Sequence, residues 1–232
     1  MVAHGPALTE GTDGSARLDP LWAELDERRD PVVLWARRVG ESRAVVLLSA
    51  FDPPTRAHVA VLEAASRSEG VPPVLCMTKE LLARSPDELL NSRQRLHLID
   101  AIATARSYGL ALANRGTYID VSRAMRSSGI DATFVVGSDK VDQLADPSFY
   151  GDGRRGVEAT FAEVDLLVVP RPGVDVRLNG LRVLDPDATF DDPAVAAISS
   201  TEVRRRIRDG VDVTHLVPPE VVVDLEGYTA AR

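Results

Sequence analysis

Five short apolar runs, separated from one another by amphipathic stretches, constrain this chain more than any other feature. They occupy 45–48, 74–77, 110–112, 133–136 and 166–169, and are rich in β-branched residues. Each run is apolar on both faces, as a strand covered by helices on both sides must be. Between them, helical patterns span roughly 55–69, 92–108, 118–127, 139–145 and 155–163. Strand, helix and strand in repetition predict parallel βαβ units wound into an α/β doubly wound sheet with helices on both faces.

Upstream, 31–38 (PVVLWARR) precedes the turn residue Gly40. A short helix continuing from 18–27 would suit this stretch. The valine pair ahead of Leu34 favours instead an extra antiparallel edge strand. The first 28 residues read as a disordered or partly helical tail, and 29–232 as the functional domain. Pro218-Pro219 opens a final short helix reaching Tyr228. The single cysteine, Cys76, excludes an intrachain disulfide and reads as a small buried hydrophobe. No apolar run approaches the ~20 residues that cross a bilayer, and the N-terminus lacks the pattern of a secretory signal. A cytoplasmic protein without a membrane partner is therefore expected. The net charge of −8 argues against a general nucleic-acid binder. Against that background, Arg204-Arg205-Arg206 with Arg208 needs a local reason.

The segment Ser49-Ala50-Phe51-Asp52-Pro53-Pro54-Thr55-Arg56-Ala57-His58 runs from the carboxyl end of the first clear strand into a helix. Ligands bind at that edge of an open parallel sheet, and helix N-terminal N–H groups suit phosphate. Thr55 is placed to cap the helix, with His58 three residues on, able to donate to a phosphate oxygen. The same residues also suit a simple strand–loop–helix junction. Near the other end, Ser199 and Glu202 form the S-x-x-E pattern of a capping box. That box does not explain the arginines. Cations in the first turns of a helix oppose its macrodipole, whereas a bound anion would favour them.

Asp52-Pro53-Pro54-Thr55-Arg56-Ala57-His58 resembles the (H/T)xGH signature of the nucleotidyltransferase superfamily, with Thr55 in the first slot and His58 in the second. Ile198-Ser199-Ser200-Thr201-Glu202-Val203-Arg204 reproduces the ISSTxxR motif that this superfamily places on the triphosphate of ATP. The resemblance spans roughly 45–228 and looks closest to nicotinate/nicotinamide mononucleotide adenylyltransferases. It implies a Rossmann-like fold and adenylyl transfer from ATP to a mononucleotide, releasing pyrophosphate, a step of NAD biosynthesis. Thr55, His58 and Arg204 would be catalytic, and Ser199, Ser200 and Thr201 would join Arg204 on ATP. Ser49, Ala50 and Phe51 would line the nucleotide from the first strand. Phe134-Val135-Val136-Gly137-Ser138-Asp139 resembles the family's FIIGxD, which implies that Asp139 lies near ribose and joins Gly137, at a tight strand exit, to the ATP-binding residues. Thr117 and Tyr118 resemble a pair lining the pyridine pocket, and Tyr150 beside Phe149 supplies a stacking aromatic. Lys79, Arg95 and Arg171, the last in a VVxRxG-like stretch, complete the acceptor side. Mg²⁺ is expected with ATP, bridging phosphate oxygens, and no residue is assigned as a metal ligand. The partners implied are ATP and a small phosphorylated nucleotide; self-association into a homo-oligomer is left open.

Two departures stand out. Ala57 replaces a usual glycine, and Leu48-Ser49 stands where the family commonly carries Gly-Gly or Gly-Ser. Those glycines allow close backbone approach to a nucleotide, so their replacement predicts weaker affinity. A different phosphorylated acceptor or CTP, and a non-catalytic nucleotide-binding relative, are the rival readings. A dehydrogenase-type protein is disfavoured, because no GxGxxG follows the first strand.

Overall fold

All five apolar runs are strands in the computed structural model, which describes residues 14–40, 42–79, 88–170, 181–185, 189–190 and 192–230, with side chains from Leu18 onward. They are β2 (Arg43–Leu48), β3 (Pro73–Thr78), β4 (Gly109–Ala113), β5 (Asp131–Gly137) and β6 (Asp165–Val169). The edge strand favoured upstream is β1 (Val33–Arg37), and the two-residue β7 (Arg182–Val183) completes the sheet. Its order is β1-β4-β3-β2-β5-β6-β7. Every neighbouring pair is parallel except β1 and β4, which run antiparallel. β7 left no signal in the sequence because both of its residues are exposed and too few to show a period.

The helices between the strands are α2 (Arg56–Glu69), α3 (Ser92–Arg106), α4 (Tyr118–Ser127) and α6 (Arg154–Glu163). The single helix expected over 139–145 is a 3-10 turn, Ser138–Lys140, followed by the short α5 (Val141–Leu144). α3 stops two residues early because Ser107 turns into the left-handed region at φ 59°. After β7 come α7 (Pro193–Ala196), α8 (Ser200–Arg208), a 3-10 turn at Pro219–Val221 and α9 (Val222–Ala230).

Alternation along β2 shows why its sequence is apolar throughout. Val45 and Leu47 face one core with Leu62, Ile99 and Val203, while Ala44 and Val46 face another with Ile119, Val121 and Met125. Val45 and Val46 are both 0% exposed, each worth about 1.5–3 kcal/mol of burial. Part of the first 28 residues is ordered into this scheme. α1 (Gly14–Glu27) sends Leu18, Trp22 and Leu25, at i, i+4 and i+7, into the first core. From β2 the chain winds outward through β3 and β4, then returns to start β5 on β2's other side. A doubly wound sheet opens its ligand crevice at such a switch point. Here it lies between the carboxyl ends of β2 and β5.

Candidate active site

Thr55, in extended backbone, is the N-cap of α2, and His58 is its N3 residue. The His58 amide donates to Thr55 Oγ1 at 3.4 Å, and the Thr55 amide donates back to His58 Nδ1 at 3.0 Å. This is a capping box with an imidazole where Glu or Gln is usual. Because Nδ1 accepts a backbone N–H, the neutral ring carries its proton on Nε2. Nε2 lies 3.4 Å from Ser49 Oγ, at the carboxyl end of β2. The capping geometry thus turns the ring into an N–H donor aimed at the crevice. Phe51 packs against it, ring centroids 5.3 Å apart, and is 1% exposed. Its φ of 52° is uncommon for a residue with a Cβ. Arg95, 2% exposed, braces that turn from below by donating to the Ala50 carbonyl at 3.3 Å and to Ser92 Oγ at 2.8 Å.

The second motif closes on the first. Arg204 Nη1 donates to the Asp52 carbonyl at 2.7 Å across 152 residues, and Ser200 Oγ donates to the Pro53 carbonyl at 2.8 Å across 147. Arg204 Nη2 also donates to Thr201 Oγ1 at 3.2 Å. The Asp52 carboxylate accepts the amides of Leu89 and Leu90 at 3.0 and 2.8 Å, tying a third segment to this loop. Ser199 caps α8 by accepting from the Glu202 amide at 3.2 Å. The expected box is only half formed, because the Glu202 carboxylate turns to Arg205 and Arg206, both at 2.7 Å. Charge-assisted bonds to two guanidiniums outweigh one neutral amide, and they hold the Glu202 carboxyl down at about 2. The helix also ends at Arg208, so Arg205, Arg206 and Arg208 lie in its last turn, where the macrodipole favours them. The anion inferred from the cluster is therefore not required by it. The local reason is the helix itself, with Arg204 alone turned to the site.

At the carboxyl ends of β2, β3, β4 and β5 lies a cavity of about 220 Å³, whose lining includes neither His58 nor Arg204. Ser49, Ala50, Thr117, Tyr118 and Tyr150 all line it, so residues expected on both substrates share one space. The Tyr118 hydroxyl donates to the Leu48 carbonyl at 3.1 Å, and its ring meets Phe134 edge to face at 5.5 Å. Burial, then the neighbouring Cys76 and Asp139, push that hydroxyl up, so it remains a donor. Tyr150 donates to the Leu144 carbonyl at 2.8 Å. Thr117, N-cap of α4, donates twice to Asp120 Oδ2, both bonds at 2.8 Å. Leu48, at one of the positions where the resemblance leads one to expect glycine, lines the wall. Gly137 ends β5 opposite, and Asp139 follows it, exposed, in the 3-10 turn.

Two residues expected on the acceptor side, Lys79 and Arg95, are not in the lining. Lys79 turns to α1, where its ammonium donates to the Trp22 carbonyl at 3.3 Å, pairs with Asp26 and lies 4.5 Å from the Trp22 ring centroid. Arg95 is beneath the loop, as above, and Arg171 lies outside the described residues. Sequence reasoning missed Thr78, Gly116, Lys140 and Gln143 in the lining. Thr78 is the last residue of β3 and Gly116 follows β4 closely, whereas Gln143 lies in α5. Cys76 is buried in the sheet, and burial pushes its thiol up to about 12, so it is no nucleophile at neutral pH. Among the described residues no group of three or more His, Cys, Asp or Glu could hold a metal ion, and no helix is long and apolar enough to cross a membrane.

Comparison with known proteins gives a consistent picture. The family described as "Cytidylyltransferase-like" matches residues 46–206. A protein of Kineococcus radiotolerans named "Probable nicotinate-nucleotide adenylyltransferase" is 30% identical over 182 residues, 74% of this chain and 83% of its own. One of the same name from Salinibacter ruber is 28% identical over 191 residues, 78% and 94%. The solved Plasmodium falciparum nicotinic acid mononucleotide adenylyltransferase, complexed with NaAD, superposes with a TM-score of 0.60 over 81% of this chain and 96% of that one. At 16% identity that likeness shows the fold.

Proposed function

This chain belongs to the cytidylyltransferase-like family of nucleotidyltransferases, and we propose that it transfers the adenylyl group of ATP to nicotinate or nicotinamide mononucleotide. The observation that carries the reading is the capping box that holds His58 with Nε2 3.4 Å from Ser49 Oγ, a residue that lines the aromatic-walled cavity. In the proposed reaction an acceptor phosphate oxygen attacks the α-phosphorus of ATP in line. The new O–P bond forms as the bond to the bridging oxygen breaks, and pyrophosphate leaves with that electron pair. The attacking phosphate is already an anion, so no general base is needed. What the protein supplies is position and charge complementarity.

His58 donates from Nε2 to a phosphate oxygen as charge grows there. Amides at the start of α2 add partial positive charge. Arg204 and Ser200 hold the Asp52-Pro53 carbonyls and so fix the loop that carries Thr55 and His58. Tyr118, Phe149 and Tyr150 offer faces and edges suited to a flat heteroaromatic ring. Mg²⁺, in the same proposal, enters on the phosphates of ATP as part of the substrate. The names of the relatives support nicotinate mononucleotide, and a cytoplasmic setting belongs to the same proposal. Leu48 in the cavity wall favours, as a second reading, another phosphorylated acceptor. Pyrophosphate release from MgATP with each mononucleotide tests the assignment. Release with either supports it; release with neither overturns it in favour of another acceptor or a non-catalytic protein.

A further inference from the structure

The family match begins at Val46, which leaves α1, β1 and the linker between them outside the shared core. This extension is nonetheless bonded to the ligand edge of the sheet. Asn114, the residue after β4, is 4% exposed. Its Oδ1 accepts the amides of Val32 at 3.0 Å and Arg115 at 2.9 Å, and its Nδ2 donates to the carbonyls of Arg28 at 3.2 Å and Asp30 at 3.0 Å. All four bonding positions of the amide are filled, three of them by the extension. The Arg115 guanidinium reaches the Arg29 carbonyl, and Lys79, the residue after β3, is gripped by Trp22 and Asp26 of α1.

Both anchor points adjoin the cavity. Thr78 precedes Lys79 in the chain, and Gly116 and Thr117 follow Arg115; all three line it. The strut between Asn114 and α4 is stiff. Gly116 has φ 119°, a Cβ there would meet Asp120 Cβ at 2.7 Å, and Asp120 holds Thr117 by two bonds. A shift of the extension therefore moves the wall that carries Thr117 and Tyr118.

We propose that the N-terminal extension sets the acceptor wall of the cavity, and that Asn114 is the positioning residue through which it does so. This rests on reading the cavity as the acceptor site. Two measurements on the full chain test it, using Asn114→Asp, which keeps the acceptor oxygen but loses both donors, and the α1 double variant Trp22→Leu with Asp26→Ala. In steady-state kinetics, KM for the mononucleotide rises about tenfold in Asn114→Asp and severalfold in the α1 variant, while KM for ATP stays within about twofold. In hydrogen exchange, amides at 116–120 quicken in the α1 variant while those at 57–60 and 201–204 keep wild-type rates. Equal changes in both KM values, or unchanged exchange at 116–120 in a folded variant, overturn the inference and leave the extension a stabilising cover only. Wild-type protein that releases no pyrophosphate with either mononucleotide overturns the acceptor reading alone, and exchange then decides the inference.

Discussion

The two ends of the crevice are assembled in different ways. At the end proposed for phosphate, Thr55 and His58 are three residues apart and fix one another, and a distant helix holds their loop through Ser200 and Arg204. The end proposed for the acceptor draws its wall from the exits of four strands, with the N-terminal extension clamped behind. Local construction makes geometry rigid and readable from a motif. Dispersed construction lets the wall be re-cut by one substitution or by an added segment. A phosphate-end mutation should therefore disable the chemistry for any acceptor, and an acceptor-end mutation should change affinity for one substrate.

The sharpest break is at His58, which has two duties that can be separated. His58→Ala removes the Nε2–H donor, and loss of one such donor lowers turnover by about 10²–10³-fold. It also removes the acceptor for the Thr55 amide, costing about 1 kcal/mol of stability. His58→Glu keeps an acceptor for that amide and should match wild type in urea denaturation while remaining as inactive. Full turnover in His58→Ala would remove the histidine from the mechanism and erase the contrast between the ends.

Arg204 tests whether the second motif acts through the loop. Arg204→Ala leaves the buried Asp52 carbonyl without its charged donor, a loss of about 1.5–3 kcal/mol, and should slow turnover with both mononucleotides alike. Arg204→Lys should restore little, because an ammonium cannot span the Asp52 carbonyl and Thr201 Oγ1 as the fork does. A denaturation midpoint unchanged in Arg204→Ala would show that the loop does not depend on it.

The sequence was legible where physics is local. Apolar runs of four or so residues become strands when both faces are buried, and Val45 and Val46 show this directly. Thr55-x-x-His58 could be read as a helix start with a donor. Three things could not be read. The half-formed box at Ser199 depends on where Glu202 finds its strongest partner, which spacing alone does not rank. Lys79, just past a strand, and Arg95, in a helix, are cations that read as phosphate neighbours, but packing against Trp22 and under Ala50 decides their direction. Lys140 and Gln143 carry no motif, and only the turn after β5 brings them to the cavity.

Tyr118→Phe sharpens the comparison from the acceptor side. It removes one hydrogen bond, to the Leu48 carbonyl, worth about 1 kcal/mol, and leaves the ring against Phe134. The expected outcome is a mononucleotide KM raised by roughly fivefold with turnover and the KM for ATP little changed. A fall in turnover at saturating mononucleotide would place Tyr118 in the chemistry and dissolve the division between the two ends.

The smallest expected effect lies on the outer surface of α8, and it separates the helix's own charges from the site it supports. Glu202 has its carboxyl lowered from 4.5 to about 2, first by Arg205 and then by Arg206. A carboxyl depressed in the folded state contributes stability above its unfolded value, and that contribution is lost as pH falls through the folded one. Wild type should therefore shed this contribution between pH 4.5 and about 2, and Glu202→Gln should show a shallower loss across the same window in urea denaturation. Because the group is solvent-facing, added salt should narrow the difference between the two proteins. Turnover at neutral pH should not change, since Arg204 bonds to Asp52 and Thr201 rather than to Glu202. A drop in neutral-pH turnover would mean that the Arg205 and Arg206 pairs steer Arg204 after all, and that the phosphate end extends further along α8 than its contacts indicate.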